Sequence, residues 1–121
     1  MHEKSRFSYK PNSYSDAEEF YLTFSYYSCN NRIALQMYYY DSDFDDYLPY
    51  ATLTVNIPDA EPTNKNCVFI DINNCPFALH LLAKVLDCAK LTGKTARSGY
   101  CLYPEVELNS EQLYKYIYYK E

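Results

Sequence analysis

From Phe20 the chain alternates. Phe20, Leu22, Phe24 and Tyr26 fall on one side and Tyr21, Thr23, Ser25 and Tyr27 on the other, the period of a half-buried strand. Cys29, Asn30 and Asn31 then supply a turn, because asparagine tolerates the left-handed backbone a tight hairpin needs. A second strand follows, with Ile33, Leu35, Met37 and Tyr39 inward. The clearest alternation runs over residues 50–57, where Ala51, Leu53, Val55 and Ile57 face inward before Pro58 ends the run. A polar loop leads to a short strand, residues 67–71.

Asn73, Asn74 and Pro76 announce a helix over 76–90, either asparagine being a candidate cap. Its polar positions His80, Lys84 and Asp87 lie opposite Phe77, Leu81, Leu82, Val85, Leu86 and Ala89, so His80 faces water and receives no role. Residues 91–99 read as a polar basic loop. A fifth strand follows in which Tyr100, Leu102, Val106 and Leu108 alternate with Cys101, Tyr103, Glu105 and Glu107, and Pro104 marks an edge strand or a bulge. Asn109 with Gln112 resembles a capping box opening a last helix, 110–120, with Leu113, Tyr116 and Ile117 inward. The expected fold is α+β: a mainly antiparallel sheet of about five strands with two helices, in the order β-β-β-β-α-β-α. Residues 1–18, polar and aperiodic, read as an arm or irregular lead-in, and 19–121 as the single domain.

Composition narrows the classes. With 121 residues, 48% apolar and 22% charged, the chain has room for one globular unit, and no apolar run reaches the ~18 residues of a membrane span. Gly93 and Gly99 are its two glycines, too few for a dinucleotide fingerprint, a phosphate loop or a kinase lid. Residues 1–62 carry ten acids and four bases, whereas 63–121 carry six and seven. An acidic half repels phosphate backbones, so direct nucleic-acid binding is not expected, but a basic protein partner is compatible. The five cysteines, odd in number and without a C-x-x-C pair, fit a reduced cytoplasmic protein, as does an N-terminus without an apolar segment. A zinc site built from distant cysteines and His80 remains an alternative to free thiols. No cofactor is expected.

Two segments invite chemistry. Asp41, Asp43, Asp45 and Asp46 alternate as in a calcium loop, but Asp46 stands where an EF-hand needs glycine and Thr52 where it uses glutamate. The same loop can be an acidic turn held open by repulsion. With Tyr38, Tyr40 and Tyr47 it can also be a recognition patch for a basic groove, since tyrosine gives stiff amphipathic contact area. Sixteen tyrosines are unusual, and Tyr21, Tyr27, Tyr38, Tyr40, Tyr50 and Tyr103 fall opposite the apolar face. That face is either covered by a helix and the arm or it binds something. In the second segment, Gly93, Lys94 and Thr95 carry the letters of a phosphate loop without its upstream glycine; Lys94, Arg97 and Ser98 offer a contact for an anion or a partner's carboxylate, or hold the loop against the sheet.

The segments 33–36 (IALQ), 49–58 (PYATLTVNIP), 69–76 (FIDINNCP) and 92–105 (TGKTARSGYCLYPE) together resemble an uncharacterised family, a domain of unknown function found in small proteins of conjugative elements and phages of gut bacteria. The resemblance spans roughly residues 32–108 and carries over no catalytic residue. It implies an accessory role resembling anti-CRISPR or antirestriction inhibitors. The expected function is therefore a non-enzymatic inhibitor of a host defence nuclease, first a Cas9-type effector, bound through Asp41, Asp43, Asp45, Asp46, Tyr38, Tyr40, Tyr47 and Tyr103. A regulatory or assembly module of the mobile element is the alternative, and a small-ligand protein or enzyme with a pocket near Lys94, Arg97, Ser98 and Cys101 the third.

Overall fold

The computed structural model describes residues 6–11 and 18–118. Eight strands form two antiparallel four-stranded sheets, and two short helical segments close their ends. The first sheet has the order β1-β2-β3-β4: β1 (Phe7–Tyr9), β2 (Glu18–Tyr26), β3 (Ile33–Asp41) and β4 (Asp46–Thr52). The second has the order β5-β6-β8-β7: β5 (Thr54–Val55), β6 (Cys67–Ile70), β7 (Ala89–Ser98) and β8 (Cys101–Leu108). Helix α1 (Ala78–His80) runs on into a π-helical turn, Leu81–Val85, and α2 is Ser110–Tyr114. Fold class, antiparallel pairing and two helices agree with the sequence; the strand count and order do not.

The β2–β3 hairpin forms as the pattern demands. Asn31 sits at φ 56°, and its N–H donates to the Tyr27 carbonyl (2.8 Å). Replacing Asn31 with glycine should change stability by only a few tenths of a kcal/mol, whereas valine, strained at this φ, should cost about 1–2 kcal/mol in urea denaturation. An equal effect of the two substitutions would show that the turn does not hold this backbone.

The strand expected over 50–57 is two strands, with Leu53 between them. Its N–H donates to the Leu35 carbonyl in the first sheet, and its carbonyl accepts from the Asp71 N–H in the second (both 2.9 Å). Leu53 is fully buried, and beside it the Thr54 hydroxyl, expected to face out, accepts from the Leu35 N–H (3.2 Å) and meets the Tyr27 hydroxyl (3.0 Å). The alternation breaks at this corner: Leu53 and Thr54 are both buried, and Val55 and Ile57 turn to a second, smaller core with Phe69 and Tyr103.

Four further expectations are corrected. Phe7–Tyr9, placed in the arm, pairs with β2 at Phe7↔Phe20 and Tyr9↔Glu18, because Phe7 supplies an apolar anchor in an otherwise polar lead-in; residues 12–17 of that arm lie outside the described residues. The helix expected over 76–90 is cut short: Leu86 N–H reaches back five residues to Leu81, Asp87 turns left-handed (φ 51°), and Ala89 already belongs to β7. Neither asparagine caps it. Instead Asp71 organises the preceding turn, accepting from the Asn74 N–H (3.1 Å) and side-chain amide (3.0 Å). The basic "loop" 91–99 is most of β7, an outer strand whose exposure left no apolar pattern to read, and Gly99 (φ 61°) starts the two-residue turn into β8. Pro104 therefore lies on an inner strand, and its bulge reading is the one that holds: it pairs with Thr95, where the β7–β8 register shifts.

Asn109 caps α2, accepting from the Gln112 N–H (3.2 Å). The Gln112 side chain does not complete a capping box; it donates to the Leu86 carbonyl (2.9 Å) and ties α2 to the preceding helical turn. The helix ends at Tyr114, short of the expected 120, because the chain straightens and bridges β2 in parallel at Leu22↔Ile117. The core draws on both sheets and both helical segments: Phe20, Leu22, Leu35 and Met37 from the first sheet, Val68, Ile70 and Val106 from the second, and Leu81, Leu82, Leu113 and Ile117 between them. Val85, expected inward, is exposed.

Candidate functional site

The β3–β4 hairpin carries the acidic segment at its tip. Tyr40 pairs with Tyr47 and Asp41 with Asp46, leaving Ser42–Asp45 to turn, with Asp45 left-handed at φ 49°. Three of the four carboxylates are committed locally. Asp41 accepts from the Asp43 N–H (2.9 Å), Asp46 from the Tyr47 N–H (2.7 Å), and Asp45 takes a close hydrogen bond from the Tyr40 hydroxyl, which holds that phenol above its ordinary range. Such contacts shape a turn rather than a cation cage. Among the described residues no three His, Cys, Asp or Glu side chains gather to hold a metal, which leaves the calcium and zinc readings without a ligand set.

Behind the tip, the tyrosines of the outer face of the first sheet cover one another. Tyr21 is the floor, 5% exposed and stacked on Tyr38 with centroids 5.4 Å apart and planes 7° apart. Tyr47 meets it edge-on at 4.7 Å and Tyr118 packs at 4.6 Å, while Tyr40 leans on Tyr47 at 5.3 Å. Burial, with the neighbouring phenols Tyr118, Tyr38 and Tyr47, pushes the Tyr21 hydroxyl up to about 12. Arg6, just before β1, lies over Tyr47 (5.3 Å) and Tyr40 (5.8 Å) and pairs with Glu19 (3.1 Å). Among the described residues the face is thus covered by its own rings and by Arg6 of the expected arm, not by a helix.

The hairpin leaves Phe44 at the tip, 73% exposed between Asp43 and Asp45. Nothing in the sequence pattern demanded an aromatic there. The signal is the phenylalanine itself, an apolar ring in an acidic turn; Tyr21 stands on the tyrosine face as expected, whereas Arg6 and Tyr118 join the frame of the cluster without a sequence signal.

Asp41, Asp43, Asp45, Asp46, Tyr38, Tyr40 and Tyr47 therefore come together, but Tyr103 does not. It belongs to the second sheet, buried with Ile57, Phe69 and Ala96 in a small separate core under the loop after β5. Tyr50 also leaves the outer face and packs on Phe20, Tyr39 and Phe77. Lys94, Arg97 and Ser98 are exposed on β7, in the other sheet, and the Lys94 ammonium is held closely by the Glu61 carbonyl. Near them Glu105, read as an outward residue, is fully buried. Its carboxylate accepts from the Thr63 N–H (2.9 Å), the Thr63 hydroxyl (2.6 Å) and the Thr92 hydroxyl (2.7 Å), pinning the loop to the β7–β8 hairpin. Cys67, Cys75 and Cys88 are buried, and burial raises all three thiols, Cys88 to about 12, so they stay protonated and weakly nucleophilic at neutral pH.

These features define a small acidic α+β protein of two antiparallel sheets sharing a core, with an acidic aromatic hairpin tip. The chain belongs to a family of proteins sharing a domain of unknown function, DUF4313, whose model matches residues 21–119. That match is wider than the segments that carried the resemblance and takes in the acidic hairpin and α2. No curated protein and no solved structure matches the chain. Among the described residues no helix is long and apolar enough to cross a membrane.

Proposed function

We propose that the protein is a non-enzymatic inhibitor that inserts its acidic hairpin into the basic nucleic-acid channel of a bacterial defence nuclease, with a Cas9-type effector the first partner to test. The carrying observation is Phe44, an exposed ring flanked by Asp41, Asp43, Asp45 and Asp46 on a hairpin braced by interlocked tyrosines. Phe44 buries little of its ring in this fold, and an exposed aromatic ringed by charge is the anatomy of an interface anchor. The carboxylates would steer encounter with lysines and arginines, and the ring would hold the complex once formed. A channel built to bind phosphates supplies that basic chemistry. The mobile-element setting implied by the sequence resemblance supports the same reading.

The test is cleavage by purified effectors, and their binding by titration, with and without the protein. Replacing all four aspartates with asparagine should keep the fold and slow association markedly at low salt, the difference shrinking as salt rises. Phe44→Ala should accelerate dissociation instead and weaken the complex by about 2 kcal/mol, near thirtyfold. Neither inhibition nor a complex with any defence nuclease tried would sink the proposal.

A further inference from the structure

A second surface, independent of the acidic hairpin, has the chemistry to take up an extended peptide. Leu22 turns both backbone groups away from β3, its N–H donating to the Tyr116 carbonyl (3.0 Å) and its carbonyl accepting from the Tyr118 N–H (2.9 Å). Backbone direction alternates along a strand, so Phe24 and Tyr26 present their N–H and C=O groups to the same side. No described residue pairs with them there, since β1 covers β2 only at Glu18–Phe20 and the parallel bridge stops at Leu22. This open edge borders a groove of about 730 Å³. Its floor is apolar, with Phe24, Ile33, Cys67 and Leu113, and the exposed rings of Tyr26 and Tyr114 line it as well.

The other long edges carry devices that discourage pairing. β4 contains Pro49, and β7 carries Lys90, Lys94 and Arg97 with a break in register around Gly93. The β2 segment from Phe24 to Tyr26 has no charge, proline or bulge. Charge in the groove also selects. Arg32 is engaged by the Ile57 and Pro58 carbonyls and by Glu61 (3.6 Å), which leaves Lys65 as the cation without an acidic partner among the described residues.

We propose that a partner protein adds an extended segment to β2 at Phe24 and Tyr26, sets an apolar side chain on the groove floor and places a carboxylate against Lys65. Backbone pairing would give the affinity, and the floor and Lys65 the selectivity.

The probe is a phage-displayed random peptide library selected on the full chain. Enriched peptides should share alternating apolar residues and an Asp or Glu in fixed register. A synthesised winner should slow amide hydrogen exchange at Phe24 and Tyr26 in the unaltered protein. Tyr26→Pro removes an edge donor that no internal hydrogen bond uses, and it should weaken binding about tenfold more than Tyr26→Ala, which keeps the N–H. Lys65→Glu should weaken acidic winners by a similar factor, with thermal unfolding midpoints confirming that each variant folds. The assignment is overturned if no peptide is enriched, if Tyr26→Pro and Tyr26→Ala bind alike, or if the groove instead mediates a concentration-dependent dimer. Phe44→Ala should leave peptide binding intact, which separates this surface from the hairpin.

Discussion

Glu105→Ala is expected to lower the unfolding free energy by about 3 kcal/mol, because it strands three donors that have no other partner in place: the Thr63 N–H, the Thr63 hydroxyl and the Thr92 hydroxyl. The carboxylate itself is fully buried, although Thr63 and Thr92 lie at the surface above it. Urea denaturation measures the loss, and a cost below about 1 kcal/mol would show that the loop after β5 holds to the sheet without this pin. The same group makes stability depend on acid. Burial alone would raise its pKa, but the hydrogen bonds from Thr63 and Thr92, with Lys94 nearby, more than offset that and hold the carboxyl below the usual glutamate range. A depressed folded-state pKa contributes stability that is present above the ordinary range and is lost as pH falls through the folded value. Glu105→Gln, which cannot titrate, should therefore show a shallower loss of stability in acid than the native chain. An unchanged acid slope would assign that loss to other carboxylates.

Leu53→Ala should cost about 3–4 kcal/mol and loosen both sheets together. The side chain is fully buried in the shared core, and its backbone joins the two sheets, so truncation leaves a cavity at the seam. Val55→Ala, two residues on and half-buried, should cost about 1 kcal/mol or less. Hydrogen exchange provides the sharper readout: amides of β3 and β6 should lose protection in parallel in Leu53→Ala. Protection lost in one sheet alone would mean that the sheets are separate cooperative units, whatever the total cost.

The two proposed surfaces differ in what made them hard to read. Aspartates at alternate positions are visible in a one-dimensional pattern, and so is the unusual supply of tyrosine. Which tyrosines stand together is not, since Tyr38, Tyr40 and Tyr47 join Tyr21 only through the register of β2, β3 and β4, and Tyr103 shares their side of an alternation but not their sheet. The groove beside β2 was out of reach, because it exists only where the second sheet's loop and α2 approach an unpaired edge.

What the sequence by itself determined is what local chemistry dictates. Alternating apolar and polar residues set β2 and β3, a short apolar run buried at every position set β6, asparagine's tolerance of positive φ set the Asn31 turn, and the Asn109 side chain set the start of α2. The antiparallel α+β class followed from those elements. Tertiary structure decided the rest. The run over residues 50–57 crosses at Leu53 from one sheet to the other and changes its buried side there, Thr54 being buried beside Leu53 and Ile57 packing in the smaller core; a pattern of apolar positions does not record which strand is the neighbour. Residues 91–99 became β7 because an outer strand needs only a partner's backbone and carries no apolar signature, and the helix expected over 76–90 yielded part of its length because Ala89 and Lys90 had β8 to pair with. Glu105 reads as surface in any pattern of polar residues; it is buried because Thr63 and Thr92, distant in the chain, arrive to satisfy it.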